Sequence, residues 1–587
     1  MEIDNRVQIE YEKWMKLDKN EKTRFEMQQL QFNPEELKLR LIDRIKFGTA
    51  GLRARMGAGF AFMNDLIIIQ TTQGLLATCK KYDFKKGIIV GYDARYNSEK
   101  WAKIVANIFH NAGIPVYLFS NIVPTPFLAF GVTFCQTLCG VMITASHNPK
   151  DDNGYKLYWE NGCQIIAPLD KEIADDIMLN LVPDENSWKW DDIRKYVKDP
   201  LEELEKAYYE RQFNCLSRNI NLEMKNNFRL VYTPMHGVGW EYAKRMLNKF
   251  GFNKIVCVPQ QVKPDPEFPT VPFPNPEEKG ALGLAIETAN AHNISLIAAN
   301  DPDADRLAVA ERFKGSWKII SGNEFGALLG WWIWSTNKIK SENNDQFVMI
   351  SSTVSSKILK SIAEKEKFQF YETLTGFKWI GNKADEMKHK GKTVLFAFEE
   401  AIGYMCNCNI LDKDGISALA IFAEMSANLY ANGCTLTEQL AKIYEEYGYH
   451  VNNNGYLKSK SSELTKRMFE KLRNWNGSSQ SYPEFCGDEK FKIIKIRDLT
   501  TGYYSYEEND KLPSDLANEM ITFTFSNNCT LTIRASGTEP KIKYYSEIVQ
   551  NHNDKSRSIE GLKSELDELI ANVKKHFYQK DIFGFTE

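Results

Sequence analysis

Three aspartates at alternate positions, Asp301, Asp303 and Asp305, fall in the segment SLIAANDPDADRLAVAER between two apolar runs. Those runs read as strands, so the carboxylates gather in one tight loop at a sheet edge. Hard oxygen donors at that density suit Mg²⁺ or Ca²⁺. An EF-hand is excluded: counting from Asp301, Arg306 stands where glycine is required and Arg312 where a bidentate glutamate is required. A magnesium ion that needs three carboxylates and one phosphate oxygen is the better fit, whereas two aspartates alone would read as a solvated turn.

A second stretch, TASHNPKDDNGYKLYW, follows the short apolar run CGVMIT. That run predicts a buried strand whose end delivers Ser146 into a loop as a candidate nucleophile. T-A-S-H is not a GxSxG elbow, so the serine needs activation other than a hydrolase triad. A third stretch, CTLTIRASGTEPKIKYYSE, offers Arg534, Ser536, Gly537, Thr538 and Lys541 between two strand-like runs. A charged fork, two hydroxyls and open backbone are the parts of a phosphate cradle, although SGT alone is also a common tight turn. GTAGLRARMG, with Arg53 and Arg55, reads equally as a structural turn or an anion site and lacks P-loop spacing. Lys378 follows a Thr-Gly turn in ETLTGFKWIGNK, and Glu399 and Glu400 end the apolar run VLFAF. Of eight histidines only His147 and His236 lie in such loops, and no HExxH or His/Cys cluster occurs.

The elements that must carry these groups alternate. GIIVGYD (87–93), a helix through WAKIVANIFHNAG and IPVYLF (114–119) lead to the Ser146 strand, and the pattern restarts at FRLVYTPMHGVG (228–239) and at DQFVMISSTVSS (345–356). This βαβ grammar predicts mostly parallel sheets. Residues 1–46 are charged and helix-prone, with Asn33 placed as an N-cap before Pro34. Six prolines in KPDPEFPTVPFPNPEEKG (263–280) exclude a central strand or helix there. The last 140 residues change character: FKIIKIRDL, MITFTF and CTLTIRASG read as an antiparallel meander before an amphipathic helix.

At 587 residues several domains are expected. A hydrophobic fraction of 43%, a charged fraction of 26% and a formal charge of -3 describe an ordinary globular chain with no general attraction to nucleic acid or acidic membrane. The 11 cysteines are scattered, odd in number and without a CxxC pair, which fits a reducing compartment. The charged amino terminus is no secretory signal, and no apolar run approaches 18 residues, so the chain is expected in the cytoplasm.

Taken in order, TASHNP with a lysine ten residues after the serine, DPDADR, FEEAIGY and RASGTEP resemble the phosphoserine, metal, sugar and phosphate loops of the α-D-phosphohexomutase superfamily. GTAGLRARMG, TPMHGVG and FEEAIGY are most similar to its phosphoglucomutase and phosphopentomutase branch. The resemblance implies an α/β fold of four domains around a central cleft, three with mixed sheets and a C-terminal α+β lid. The expected division is an N-terminal helical extension at 1–46 and domains at 47–205, 206–322, 323–449 and 450–587.

It further implies that Ser146 carries a phosphoryl group and that Asp301, Asp303 and Asp305 hold one Mg²⁺ with that phosphate. Lys156 is the implied acid/base and Arg53 the arginine that stabilises the transferring phosphoryl. His147 and Lys378 would either transfer protons or orient phosphate. Glu399 would bond sugar hydroxyls, with Arg306 also at the substrate. Arg534, Ser536, Gly537 and Thr538 would grip the non-reacting phosphate. The implied reaction interconverts glucose 1- and 6-phosphates or ribose 1- and 5-phosphates, with glucose 1,6-bisphosphate as activator and intermediate, in a monomer or homodimer whose partners are small sugar phosphates. Ala401 departs from the serine of many hexose mutases; loss of that hydroxyl, on the order of 1 kcal/mol, would relax the demand on ring hydroxyls and admit pentoses. Competing readings are a glucose 1,6-bisphosphate synthase fed by 1,3-bisphosphoglycerate and a catalytically silent sugar-phosphate sensor.

Overall fold

The computed structural model describes residues 5–48, 51–337, 344–487, 489–508, 511–514, 519–536, 541–551, 553–554 and 556–586. The chain forms two compact units, residues 1–338 with 376–437, and residues 339–375 with 438–587.

The first unit begins with α1 (Asn5–Leu17), α2 (Glu21–Gln29) and α3 (Pro34–Leu41). The Asn33 side chain accepts from the Glu36 N–H and Pro34 opens α3, as the sequence predicts. Val7, Trp14, Met27 and Leu37 of these helices bury into the same core as the first sheet. That sheet contains β1 (Gly51–Arg55), β2 (Ile88–Tyr92), β3 (Val116–Leu118), β4 (Cys139–Ile143) and β5 (Asp152–Trp159), in the order β1-β5-β4-β2-β3. β2 and β4 are buried along their whole length, which is why both read as unbroken apolar runs.

The expectation of mostly parallel sheets is corrected. β2 pairs in parallel with β3 and β4, but β5 runs antiparallel to both β4 and β1. The Ser146 loop is too short to be a crossover, so the chain turns back on itself there; a parallel return needs a dozen or more residues. The second sheet repeats the device. Its strands β6 (Leu230–Thr233), β7 (Ile255–Cys257), β8 (Leu296–Ala299), β9 (Ala308–Phe313) and β10 (Ser316–Ile320) lie in the order β10-β9-β8-β6-β7. β6 is parallel to β7 and β8, whereas β8 and β9 are antiparallel and joined by the aspartate loop. That loop therefore lies between inner strands, not at a sheet edge. The six-proline segment forms neither strand nor helix.

GTAGLRARMG is also corrected from a loop. Residues 51–55 are strand, and Gly51 is needed because a Cβ there would lie 1.8 Å from the Tyr155 carbonyl oxygen of β5. Thr49 and Ala50 lie outside the described residues. The first unit also holds the helices Gly322–Ser335, Phe377–His389 and Gly415–Ala431 and the antiparallel strands Thr393–Glu399 and Gly403–Met405.

In the second unit the parallel strands Phe347–Ser352 and Gln369–Thr373 flank the helix Ile358–Glu366. Its seven-stranded sheet is antiparallel: Tyr449–Asn452 and Gly455–Lys458 pair with Lys541–Gln550, followed by Cys529–Ala535, Met520–Phe525, Ile493–Asp498 and Tyr503–Tyr504. The helices Ser462–Arg473 and Ile559–His576 bury Met468, Phe469, Leu566 and Leu569 in the same core as this sheet, giving the expected α+β arrangement. Among the described residues no helix is long and apolar enough to cross a membrane.

Candidate active site

The two hairpin-like returns of the first unit bring their loops together. Ser146, only 4% exposed, donates its hydroxyl to Asp301 Oδ2 at 2.8 Å. Its backbone has φ +54°, a left-handed conformation unusual for serine. Asp301, Asp303 and Asp305 are buried, with oxygens all within 4.8 Å of one another. Asp301 Oδ1 accepts the Arg306 N–H at 3.0 Å. Asp303 Oδ2 accepts the Thr125 hydroxyl at 2.6 Å and the Lys156 ammonium at 2.7 Å. Lys156 also reaches Asp305 Oδ2 at 3.1 Å.

The Oδ1 atoms of Asp303 and Asp305 are buried without a hydrogen-bond partner, and so is Arg306 Nε, 3.9 Å from Asp305 Oδ1. Orphaned buried polar atoms need a partner that the chain itself does not supply. An all-oxygen set of three carboxylates with two free oxygens fits a hard divalent cation. TPMHGVG supports this loop from behind: the Val238 N–H donates to the Pro302 carbonyl at 2.8 Å, and a Cβ on Gly237 would lie 2.2 Å from Pro302 Cα. His236 bonds Thr270 at 2.8 Å and takes no part in the cluster.

Charges decide the protonation. Burial, reinforced by Asp303 and Asp305, pushes the Asp301 carboxyl well above the usual range. Burial opposes ionisation of Asp303 too, but Lys156 and the Thr125 hydroxyl hold it well below. Burial acts to discharge Lys156, and the two aspartates overcome it and raise its pKa. His147 Nδ1 lies 3.4 Å from Ser146 Oγ, and burial together with Arg306 and Arg53 drives its imidazole well below the ordinary histidine value. It is neutral at pH 7.

Arg53 stands on β1 opposite Gly154 of β5, so the β1–β5 pairing carries Arg53 and Lys156 on neighbouring strands. Glu399 ends its strand under the opposing influences of burial, which raises its pKa, and of Lys413 and Arg306, which lower it. Lys378 is the second residue of the helix Phe377–His389, with its ammonium 5.1 Å from the Trp379 ring centroid. In the second unit Arg534 is the last but one residue of the strand Cys529–Ala535, opposite Lys543, and the Ser536 N–H donates to the Lys541 carbonyl at 2.8 Å. Gly537 and Thr538 lie outside the described residues.

Sequence reasoning missed Lys413. It is buried, 3.4 Å from both Asp305 Oδ2 and Asp412 Oδ1, and lies over the Phe377 ring at 5.2 Å. Burial works against its charge, and Asp305, Asp412 and Glu399 keep it protonated. The available signal was the triplet DKD between the apolar runs of NILDKDGISALAIF. Asp412 in turn accepts the Tyr158 hydroxyl of β5 at 2.6 Å, tying Lys413 to the strand that carries Lys156.

Comparison with known proteins agrees with this geometry. Residues 44–180, 206–314 and 321–447 match alpha/beta/alpha domains I, II and III of phosphoglucomutase/phosphomannomutase. The chain is 47% identical to a human protein named phosphopentomutase, covering 98% of this chain and 96% of that one. It is 45% identical to human glucose 1,6-bisphosphate synthase, covering 96% and 93%. The open form of a Paramecium phosphoglucomutase, parafusin, superposes with a TM-score of 0.66 at 18% identity over 90% of this chain and 95% of that one, a likeness of fold. The ordered loops, the buried aspartates beside Ser146 and the three matching domains together show that the chain belongs to the phosphoglucomutase/phosphomannomutase family of the α-D-phosphohexomutase superfamily.

Proposed function

We propose that this chain moves a phosphoryl group between two oxygens of a sugar monophosphate through a phosphorylated Ser146, with ribose and glucose phosphates as substrates. One observation carries the reading: Ser146 Oγ lies 2.8 Å from Asp301 in a buried cluster where two carboxylate oxygens and an arginine nitrogen lack hydrogen-bond partners. Asp301, Asp303 and Asp305 would hold one Mg²⁺, which when bound supplies positive charge against the phosphoryl oxygens and polarises the serine oxygen.

The chain's own groups do the rest. A free sugar hydroxyl bonds to phosphorus as the P–Oγ bond breaks, leaving the electron pair on Ser146 Oγ; the hydroxyl loses one proton and Oγ requires one. Lys156, protonated between Asp303 and Asp305, is the group that delivers and recovers that proton. His147, neutral, orients the phosphoryl group with Lys378, while Arg53 and Arg306 balance its charge. Glu399 accepts from sugar hydroxyls. The resulting bisphosphate turns over and returns its other phosphoryl to Ser146, with glucose 1,6-bisphosphate as activator and intermediate. Recognition of the non-reacting phosphate is assigned to Arg534, Ser536, Gly537 and Thr538.

We assign domain boundaries at 46/47, 205/206, 322/323 and 449/450, supported by family matches that begin at 44, 206 and 321, and a cytoplasmic location. Ala401 and the phosphopentomutase relative favour pentose phosphates. Comparing kcat/KM for ribose 1-phosphate and glucose 1-phosphate tests this, and a hundredfold preference for glucose would contradict it. The likeness to glucose 1,6-bisphosphate synthase favours a second reading in which an acyl phosphate donor loads Ser146. A mutase turns over with a trace of glucose 1,6-bisphosphate; a synthase consumes 1,3-bisphosphoglycerate stoichiometrically.

A further inference from the structure

Ser146 occupies a conformation that an L-residue avoids by about 1–2 kcal/mol, so its surroundings must enforce it. Two residues just past β2, Asp93 and Arg95, hold the peptide groups on both sides of it. On the amino side, the Ser146 N–H donates to Thr144 Oγ1 at 2.9 Å, and the Thr144 hydroxyl donates to Asp93 Oδ2 at 2.6 Å. On the carboxyl side, Arg95 Nη2 donates to the Ser146 carbonyl at 2.5 Å and to that of Asn148 at 2.6 Å. Arg95 Nη1 adds the carbonyls of Pro149 at 2.8 Å and Asp152 at 3.2 Å.

The pair is itself fixed. Asp93 Oδ1 accepts the Ser98 hydroxyl at 2.7 Å and the Arg95 N–H at 3.0 Å, and Asp93 Oδ2 lies 3.3 Å from Arg95 Nε. The Phe268 ring, from the six-proline segment, covers the guanidinium at 4.9 Å. Asp93 is 2% and Arg95 4% exposed. Both terminal nitrogens of Arg95 are spent on loop carbonyls, so it is not a phosphate ligand. Rotating Ser146 to an ordinary φ would swing both neighbouring peptides and break the Thr144 and Arg95 bonds together.

Building on the phosphoserine reading above, we infer that Asp93 and Arg95 are positioning residues that lock Ser146 in its left-handed conformation and so aim Oγ, and the phosphoryl group it carries, at the aspartate cluster. They act on the transfer step and not on sugar binding. Only a planar guanidinium can reach four carbonyls in this fan, so lysine is no substitute.

The test is a single-turnover measurement on purified full-length protein loaded with phosphoryl from glucose 1,6-bisphosphate. In Arg95→Lys the transfer rate to glucose 1-phosphate falls about 10²-fold, the loss expected for a reacting group displaced by about 1 Å, while KM stays within threefold and the circular dichroism is native. In Arg95→Ala millimolar guanidinium restores the rate at least tenfold and methylammonium does not. Thr144→Val, isosteric at a buried site, slows transfer at least tenfold with KM unchanged, and it decides the matter if neither Arg95 variant folds. Native transfer rates in Arg95→Lys and Thr144→Val, or parallel losses in KM and kcat without guanidinium rescue, overturn the inference. A wild-type protein that never carries phosphate on Ser146 would instead overturn the phosphoserine reading, so the two failures are distinct.

Discussion

The first unit buries Asp301, Asp303 and Asp305 beside Lys156, Lys413 and Arg306; the second partly buries Glu372 beside Lys357 and Arg497. The ingredients are alike, but the bookkeeping of atoms is not. Glu372 Oε1 accepts the Thr353 hydroxyl at 2.6 Å and Arg497 Nη1 at 2.8 Å, and Oε2 pairs with Lys357 Nζ at 2.9 Å. Lys357 also donates to the carbonyls of Ser352, Thr353 and Ser355. Burial opposes ionisation of Glu372, yet Lys357 and Arg497 hold it well below the usual glutamate range. Both of its oxygens are satisfied by the chain. In the aspartate cluster two oxygens are not. In each network one arginine Nε, of Arg497 or of Arg306, is left without a hydrogen-bond partner, so the contrast lies in the carboxylates: one whose oxygens are both satisfied is architecture, and carboxylate oxygens left short of partners are a site for a cation.

Substitutions that remove charge without changing shape would break or sharpen that contrast. Asp305→Asn is expected to lower turnover of the folded protein at least about 10³-fold, several kcal/mol of transition-state stabilisation, while the loss of stability from leaving Lys156 and Lys413 one partner short stays smaller. Equal losses of stability and activity in a denaturant titration and a coupled assay would erase the distinction. Glu372→Gln is expected to do the reverse. Breaking this partly buried ion pair destabilises by about 1–3 kcal/mol, read as an earlier transition in the second unit, while kcat of the folded protein stays within threefold.

The second unit also carries a pH signature. Glu547 is buried, which opposes its ionisation, but the His450 ring at 3.3 Å, the Ser356 hydroxyl and the Lys357 N–H bring its pKa from 4.5 down to about 2. A depressed carboxylate stabilises fully above its unfolded value and loses that stabilisation as pH falls through the folded one. Stability is therefore expected to drop by roughly 3 kcal/mol between about pH 5 and pH 2, and Glu547→Gln to flatten that slope in acid titrations followed by circular dichroism. The smallest effect is expected at Ala401→Ser, where a restored hydroxyl moves the ratio of kcat/KM for glucose over ribose phosphate upward by no more than about tenfold, on the order of 1 kcal/mol.

How much of this was readable in advance follows the range of each interaction. Ser146 and the aspartates were legible because an apolar strand ending in a polar loop is a local pattern, and three carboxylates at alternate positions have few structural uses. The Asn33 cap and the proline excursion were legible for the same reason. The antiparallel returns were not, because alternating strands and helices look the same whether the chain crosses over or turns back; only the short loops containing Ser146 and Asp303 held the clue. GTAGLRARMG read equally as a turn or an anion site, and nothing local shows that its Gly51 serves the close approach of β1 to β5. Lys413, Thr125, Asp93 and Arg95 come to the site through tertiary contacts, 21 to 267 positions away from Ser146 or on strands whose order no local pattern reveals.

The central claim is that Ser146 carries the phosphoryl group. Phosphopeptide mapping and intact mass of the purified protein, before and after incubation with glucose 1,6-bisphosphate and Mg²⁺, test it directly alongside turnover of ribose and glucose 1-phosphates. The expected result is substoichiometric phosphate on Ser146 that rises with bisphosphate and is discharged by either sugar monophosphate. Turnover with phosphate mapped to another residue, or no phosphate on Ser146 under any of these conditions, would contradict it.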